Sequence, residues 1–415
     1  MKVELNYGQG QVSVEIPEKN LGAVMHPATV ESESSEQEII RQSIRRPIGT
    51  PQLSQIVSGG ESIVIVTSDI TRPMPSYKVL PELLAELTEI GVADEDITIV
   101  FGLGNHRKQT AEEMRKLVGD EIYDRIRCVD SDQQDIVNLG TTSRGTPVDI
   151  HRPVAEADRL ICLGNIDYHY FAGYSGGYKA IMPGVSTESA IQMNHRHMVQ
   201  ELASTGNIES NPVREDMEEV ASLITVDFIV NVVLDEYKHV VGSFAGDPID
   251  AHREGCKLLD SFYKYKLPRQ GDVVIVSAGG FPKDINLYQA QKALDNAKYA
   301  VRDGGDIILV AACGEGLGES TFERWMLDSS SPDEMISEIQ RKFVLGGHKA
   351  AAIGLVMKRA TVNLVSEMEP DFVERLFMKP HPTLQAALDS ALKKHGTDAV
   401  VHVMPVGGST LPTFE

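Results

Sequence analysis

Along residues 1–17, apolar and polar positions alternate, with Val3, Leu5 and Tyr7 followed by Val12, Val14 and Ile16, which predicts two short strands. Residues 62–68 (SIVIVTS) are a β-branched run of the kind buried in parallel sheets, and a Pro-bounded loop and an apolar-periodic helix over 77–90 follow. The plan then repeats, with a strand at 97–101, a loop at 102–107, a helix at 110–118 and a further strand at 159–163. Strand, polar loop and helix in alternation predict an α/β sheet whose site lies at the carboxyl ends of its strands. After a strand at 228–233 and a helix at 248–262, the polar, Pro-containing stretch 264–272 marks a domain boundary. A second alternation begins there, with strands at 273–276, 307–311 and 399–403 and helices at 286–301, 332–343, 370–377 and 383–394. The expected organisation is an N-terminal α/β domain over 1–263, a linker over 264–272 and a C-terminal α/β domain over 273–415. Residues 31–38 read as an exposed polar loop.

The chain has 415 residues, enough for two or three domains, and its composition is that of a folded globular protein. Sixty acidic against 39 basic residues give a formal charge of −21, which opposes binding to nucleic acid or to an anionic membrane surface. A small anionic substrate stays compatible with that charge, because a few local cations can override the net field inside a site. Cys128, Cys162, Cys256 and Cys313 are far apart, with no spacing of a zinc knuckle or a disulfide framework, and read as buried thiols. No apolar run approaches the ~20 residues of a membrane span and no signal peptide is evident, so a cytoplasmic protein is expected.

Several polar clusters fall where strands should end. In DITRPMP, Asp69 can accept ribose or backbone hydrogen bonds and Arg72 offers a planar fork for a carboxylate or phosphate, although an Asp and an Arg in a turn are commonly structural. In GLGNHR two glycines precede His106, which alone would read as a turn residue. The segment HYFAGYSGGYKAIMPG is denser. Its Ser175, Gly176 and Gly177 could bring backbone N–H groups against a phosphate, and Lys179 could serve as a cation or a nucleophilic amine. The spacing is not that of a Walker A loop.

The NHRH segment follows on a stretch expected to be helical from about Ser186; His195 and His197 are two apart, so at most one could face a given metal. In GGFPKDINLYQAQK, Gln289 and Lys292 stand three apart near a helix start, which places an amide and an ammonium on one face as a carboxylate clamp. The GEGLG at 314–318 lacks the GxGxxG spacing of a dinucleotide loop, and HExxH and kinase signatures are absent from the sequence.

Taken together and in this order, DITRPMP, GLGNHR, HYFAGYSGGYKAIMPG, NHRH and GGFPKDINLYQAQK resemble the nickel-dependent lactate racemase family, with a weaker extension to MPVGGSTLP near the C-terminus. The resemblance implies two α/β domains with a cofactor and substrate cleft between them. It implies a racemase or epimerase of a 2-hydroxy acid that works by proton-coupled hydride transfer to a nickel pincer nucleotide, a nicotinic-acid-derived group whose sulfur atoms and a ring carbon bind nickel. On the matching positions, Lys179 would carry the nucleotide covalently, His195 would complete the nickel coordination, and His106 and His169 would be the two acid/base histidines. Asp69 would contact the ribose region, and Arg72, Gln289 and Lys292 would hold the substrate carboxylate. Cofactor-assembly enzymes would be partners. Lactate-type members carry a tryptophan at about Lys349 to Leu355, whereas this chain has only Trp325, which leaves the identity of the 2-hydroxy acid open.

The implied chemistry accounts for the residue types. The C–H beside an ionised carboxylate is a very poor acid, and removing hydride instead of a proton avoids a dianion. A histidine can take the hydroxyl proton as hydride leaves, and hydride returned to the other face gives the opposite enantiomer, so two histidines suit the two hydroxyl positions. Soft sulfur donors with one imidazole suit nickel. Two alternatives compete with this reading: a zinc hydrolase gathering His106, His169 and His195 around one ion, and a non-catalytic protein that binds or delivers a nucleotide cofactor.

Overall fold

The computed structural model describes residues 1–26, 28, 34–235 and 237–414. The chain forms two compact units, one of Thr29–Ser261 and one of Met1–Ala28 with Phe262–Glu415. Each is α/β.

In the unit Thr29–Ser261 a six-stranded sheet runs in the order Val240–Gly246, Phe228–Leu234, Arg159–Ile166, Ile63–Ser68, Ile97–Gly102, Arg127–Asp130. All neighbours are parallel except the edge strand Val240–Gly246. The β-branched run at its centre is buried on both faces, as parallel strands require. The helix Ser76–Ile90 begins after the predicted Pro-bounded loop and buries Leu80, Leu83 and Leu87 against Ile65, Ile99 and Phe101. Ile63–Ser68 is followed in sequence by its neighbour Ile97–Gly102 on one side, whereas Arg159–Ile166 pairs with it on the other. The connections therefore diverge between these strands, and the loops leaving their carboxyl ends flank the switch point at which open α/β sheets bind ligands.

The second unit holds a six-stranded parallel sheet in the order Lys379–Pro380, Thr361–Val365, Val301–Val310, Gly271–Ser277, Val401–Met404, Leu21–Val24. Side chains alternate between its faces: Val274 and Val276 pack with Leu287, Leu294 and Ile353, while Val273 and Ile275 pack with Leu384, Leu388 and the hairpin residues Val3, Leu5 and Val14. Here too the switch point, between Gly271–Ser277 and Val401–Met404, is where the GGFPKD and MPVGG segments leave the sheet.

Two expectations about organisation need correcting. Residues 1–28 do not belong with the first domain, because the strand Leu21–Val24 pairs with Val401–Met404 and the hairpin Lys2–Tyr7 with Gly10–Glu15 covers the second unit's sheet. The stretch 264–272 is not a free linker, since Lys264–Leu267 pairs with Leu411–Phe414 and Gly271 opens a central strand. Of the expected loop 31–38, residues 31–33 lie outside the described residues, while Glu36–Arg45 is a helix capped by the Ser35 hydroxyl. The cysteines form no disulfide; Cys162, Cys256 and Cys313 are buried and Cys128 is half-buried. Among the described residues no helix is long and apolar enough to cross a membrane.

Candidate active site

Three loops at the carboxyl ends of the first unit's strands carry the chemistry. The first leaves Ile63–Ser68 and turns at Asp69, whose buried carboxylate accepts from the Thr71 N–H at 2.8 Å and from the Thr71 hydroxyl at 2.6 Å. Its other oxygen accepts a short hydrogen bond from Nδ1 of His106, on the loop after Ile97–Gly102. Burial by itself would raise the Asp69 carboxyl, but the hydrogen bonds from His106 and Thr71 outweigh it and hold the group below its ordinary range. An ionised carboxylate is acceptor-only, so His106 carries its hydrogen on Nδ1 and its lone pair on Nε2. Arg72 stands exposed on the same loop as Asp69.

The second loop follows Arg159–Ile166 and contains His169, Phe171, Ser175 and Lys179. Its path needs glycine: a Cβ on Gly173, at φ +77°, would lie 2.1 Å from the Asn207 carbonyl oxygen, and one on Gly176, at φ +79°, would lie 2.5 Å from Asn231 Oδ1. The Ser175 hydroxyl donates to the Asn165 carbonyl at 2.8 Å, and the Gly177 N–H donates to Asn231 Oδ1 at 2.8 Å. Both groups thus tie the loop to the sheet. Fully buried Arg214 on the helix Pro212–Glu219 donates to the carbonyls of Ala172, Tyr174 and Gly176. Buried His252 adds a 2.8 Å bond from Nε2 to the Ser175 carbonyl.

Lys179 lies beside this cationic scaffold. Burial first, and then the charges of Arg214 and Arg72, hold its amine well below the ordinary lysine range, which favours the unprotonated, nucleophilic form more than in a free lysine. His169 is also held well below the ordinary histidine range, by burial above all, with Lys179, His195, Arg72 and Arg214 adding to it. Its Nδ1 accepts the Ala172 N–H at 3.2 Å, so the neutral ring carries its hydrogen on Nε2.

The third element is the helix Glu188–His195, capped by the Thr187 hydroxyl. It ends on buried His195, while His197 falls in the following 3-10 turn. Phe171 joins the site together, with its ring edge-on to His169 at 4.4 Å and to His195 at 4.9 Å between centroids. His195 Nδ1 meets Asn194 Oδ1 at 2.9 Å. Among the described residues no group of three or more His, Cys, Asp or Glu is placed to hold a metal ion, so the three-histidine zinc site does not form. A metal whose other donors arrive on an organic group needs only one imidazole from the protein, and buried His195, which shares its neighbour Phe171 with His169 of the Lys179 loop, fits such a group.

The first unit thus brings together Asp69, Arg72, His106, His169, Lys179 and His195. Gln289 and Lys292 belong to the other unit, exposed on the helix Leu287–Ala300, whose first turn is capped by Asn286 Oδ1 accepting from the Gln289 N–H at 3.0 Å. In that unit Trp325 lies against the start of the helix Gly347–Arg359, where a Cβ on Gly347 would fall 2.5 Å from its ring. Sequence reasoning missed Arg214, Asp216, Asn231 and His252. The Asn211–Pro212 helix start was the one available signal.

The chain matches the model of the lactate racemase N-terminal domain over residues 7–206 and that of the lactate racemase C-terminal domain over residues 267–411. The chain belongs to the lactate racemase family. It is 31% identical to the lactate racemase of Thermoanaerobacterium thermosaccharolyticum over 99% of this chain and 98% of that protein. It is 33% identical to the lactate racemase of Lactiplantibacillus plantarum over 98% of each. The structure of the T. thermosaccharolyticum lactate racemase apoprotein superposes with a TM-score of 0.89, covering all of both chains at 31% identity. A Thermotoga maritima protein of 18% identity, covering 94% of this chain and 100% of its own, shares the fold at a TM-score of 0.64. As a member of this family the chain is a racemase, an isomerase acting through the α/β architecture described above.

Proposed function

We propose that the chain interconverts the two enantiomers of a 2-hydroxy acid, lactate being the first candidate, with a nickel pincer nucleotide attached to Lys179 and its nickel held by His195. The observation that carries this reading is the meeting, at one sheet's switch point, of a carboxylate-bound histidine, a second histidine and a lysine whose amine is held below its ordinary range, with His195 sharing an aromatic neighbour with the second histidine. When bound, the nucleotide supplies an electron-poor ring able to accept and return hydride. His106 Nε2, with Asp69 fixing the hydrogen on Nδ1, accepts the substrate hydroxyl proton, and the carboxylate stabilises the imidazolium that results. His169 would serve the hydroxyl of the other enantiomer: to accept its proton at Nε2 the neutral ring must carry its own hydrogen on Nδ1, so the Ala172 N–H has to turn away, and the imidazolium that results returns that proton when the reaction runs the other way. Arg72, with Gln289 and Lys292 by the sequence assignment, holds the carboxylate while the carbonyl reorients. Asp69 is already committed to Thr71 and His106, which favours positioning the base over contacting the ribose.

Cofactor-assembly enzymes are part of the proposal, as is a cytoplasmic location, to which four cysteines without a disulfide are suited. The test is the mass of the Lys179 peptide and the nickel content of protein co-produced with such enzymes, with chiral analysis of lactate and other 2-hydroxy acids on the same sample. A sulfur-containing nucleotide adduct with nickel and loss of optical purity is expected. An active protein with unmodified Lys179 would overturn the cofactor assignment.

A further inference from the structure

The nitrogen that His195 offers is set two residues deep in the protein. Asn194 is fully buried, and its amide nitrogen donates both to the Val213 carbonyl at 3.1 Å and to Asp216 Oδ2 at 2.8 Å. A carbonyl and a carboxylate only accept, so the Asn194 amide cannot be turned end for end without losing both bonds. Its Oδ1 is therefore the atom that faces His195 Nδ1, at 2.9 Å. An amide oxygen can only accept, which puts the hydrogen of the neutral imidazole on Nδ1 and the lone pair on Nε2.

Asp216 is itself immobilised. It is fully buried on the helix Pro212–Glu219 and also accepts from the Thr142 and Thr146 hydroxyls, the latter at 2.7 Å. Those threonines flank the turn that joins the strands Ile136–Thr141 and Pro147–His151. One helix thus does two jobs: Arg214 secures the loop bearing Lys179, and Asp216 secures the side chain that orients His195.

We infer that Asn194 and Asp216 are positioning residues that hold His195 as the Nδ1–H tautomer, so that Nε2 is the metal-binding nitrogen. This deepens the proposed nickel assignment and rests on it only for the identity of the metal. Partners that fix a ligating histidine typically change metal affinity about 10–100-fold when removed. The informative variant is Asp216→Asn. It keeps the shape but can offer its own amide hydrogen atoms or oxygen, so the Asn194 amide is free to turn its nitrogen toward His195 and shift the hydrogen to Nε2. The double variant Asn194→Asp with Asp216→Asn restores an acceptor facing Nδ1, while the Val213 carbonyl loses its side-chain donor.

The test has two readouts. Nitrogen-15 NMR of metal-free protein labelled at histidine, with His195→Gln for assignment, reads the tautomer without any cofactor. The wild-type His195 should be Nδ1–H, Asp216→Asn should shift it toward Nε2–H, and the double variant should shift it back. On protein co-produced with the assembly enzymes, nickel retained through dialysis should fall at least 10-fold in Asp216→Asn with the Lys179 adduct mass retained, and should recover in the double variant. A wild-type His195 found as Nε2–H would overturn the inference even if the variants failed to fold. Unchanged nickel retention in a folded Asp216→Asn would also overturn it. A wild-type protein with no adduct on Lys179 would instead sink the cofactor reading, while the tautomer in metal-free protein would still decide the role of Asn194 and Asp216.

Discussion

Asp69 grips His106 with one carboxylate oxygen and its own loop, through Thr71, with the other, so the ring of a histidine on the neighbouring loop is fixed by the turn that ends the central strand. Asp69→Asn tests what that fixation does. The amide can present its nitrogen to His106 Nδ1, which would leave the hydrogen on Nε2 and remove the base. Racemisation kcat should fall on the order of 10²–10⁴-fold, the scale of a lost general base, while the thermal midpoint moves little. The measurement is initial loss of optical rotation with each enantiomer. A kcat within a few-fold of wild type would show that the dyad does not set the base.

Lys179 carries an electrostatic cost before modification. Burial, reinforced by Arg214 and Arg72, holds its amine well below the 10.5 of a free lysine. Between the depressed value and 10.5 the unfolded chain binds a proton there that the folded chain does not, so the unmodified protein gains stability as pH rises across this window and loses it as pH falls. Lys179→Met removes the lysine's contribution to that slope. The unmodified variant should be more stable than unmodified wild type at pH 7, by roughly 1 kcal/mol as for other relieved functional sites, and the gap should narrow toward pH 10. Thermal melts at the two pH values read it. A variant less stable than wild type at pH 7 would contradict an amine whose burial disfavours its charged form.

Much of this arrangement was legible in the sequence, for physical reasons. The β-branched runs at residues 63–66 and 273–276 can hardly be anything but buried strands, and polar loops after such strands fall at the open end of the sheet. The placement of residues 1–28 was not legible, because it depends on Leu21–Val24 pairing with a strand almost 380 positions away, and nothing local encodes such a partner. Arg214 and Asp216 escaped for a different reason. The segment PVREDMEE reads as a solvated, charged helix, and these two residues are buried only because glycine-rich turns aim carbonyls at one and because Asn194 and two threonines surround the other.

In the second unit, buried Asp306 accepts from Asn363 at 2.9 Å and from Lys394 and His395 at 2.5 Å each. Burial alone would raise its carboxyl, but these hydrogen bonds outweigh it and keep the group below its ordinary 3.8. Its contribution to stability is therefore complete above that value and lost as pH falls through the folded-state value. Asp306→Asn should cost about 1–3 kcal/mol at pH 7, the scale of a hydrogen-bonded buried charge, and the difference from wild type should shrink in acid. Urea unfolding at pH 7 and at about pH 2, followed by circular dichroism, separates the two. Equal losses at both pH values would assign the effect to packing.

Arg214 makes the sharpest stability prediction because one buried side chain donates to three backbone oxygens at once, two of which, those of Ala172 and Gly176, also accept from the Tyr174 and Lys179 N–H groups. Its Nε reaches the Ala172 carbonyl at 3.2 Å, one terminal nitrogen reaches Gly176 at 3.3 Å, and the other reaches Tyr174. A planar fork can serve three inward-turned carbonyls, whereas the single ammonium of lysine cannot. Each hydrogen bond from the charged guanidinium is worth about 1.5–3 kcal/mol, and the remaining backbone donors with relaxation of the loop offset part of the sum. Arg214→Met should therefore lose about 3 kcal/mol or more and Arg214→Lys somewhat less, read from urea unfolding midpoints. Because the loop also carries His169 and Lys179, protein that remains folded should form less of the Lys179 adduct when co-produced with assembly enzymes. If Arg214→Lys matched wild type in both stability and adduct yield, the guanidinium would be contributing charge alone, and the three-carbonyl clamp would not be what holds the loop.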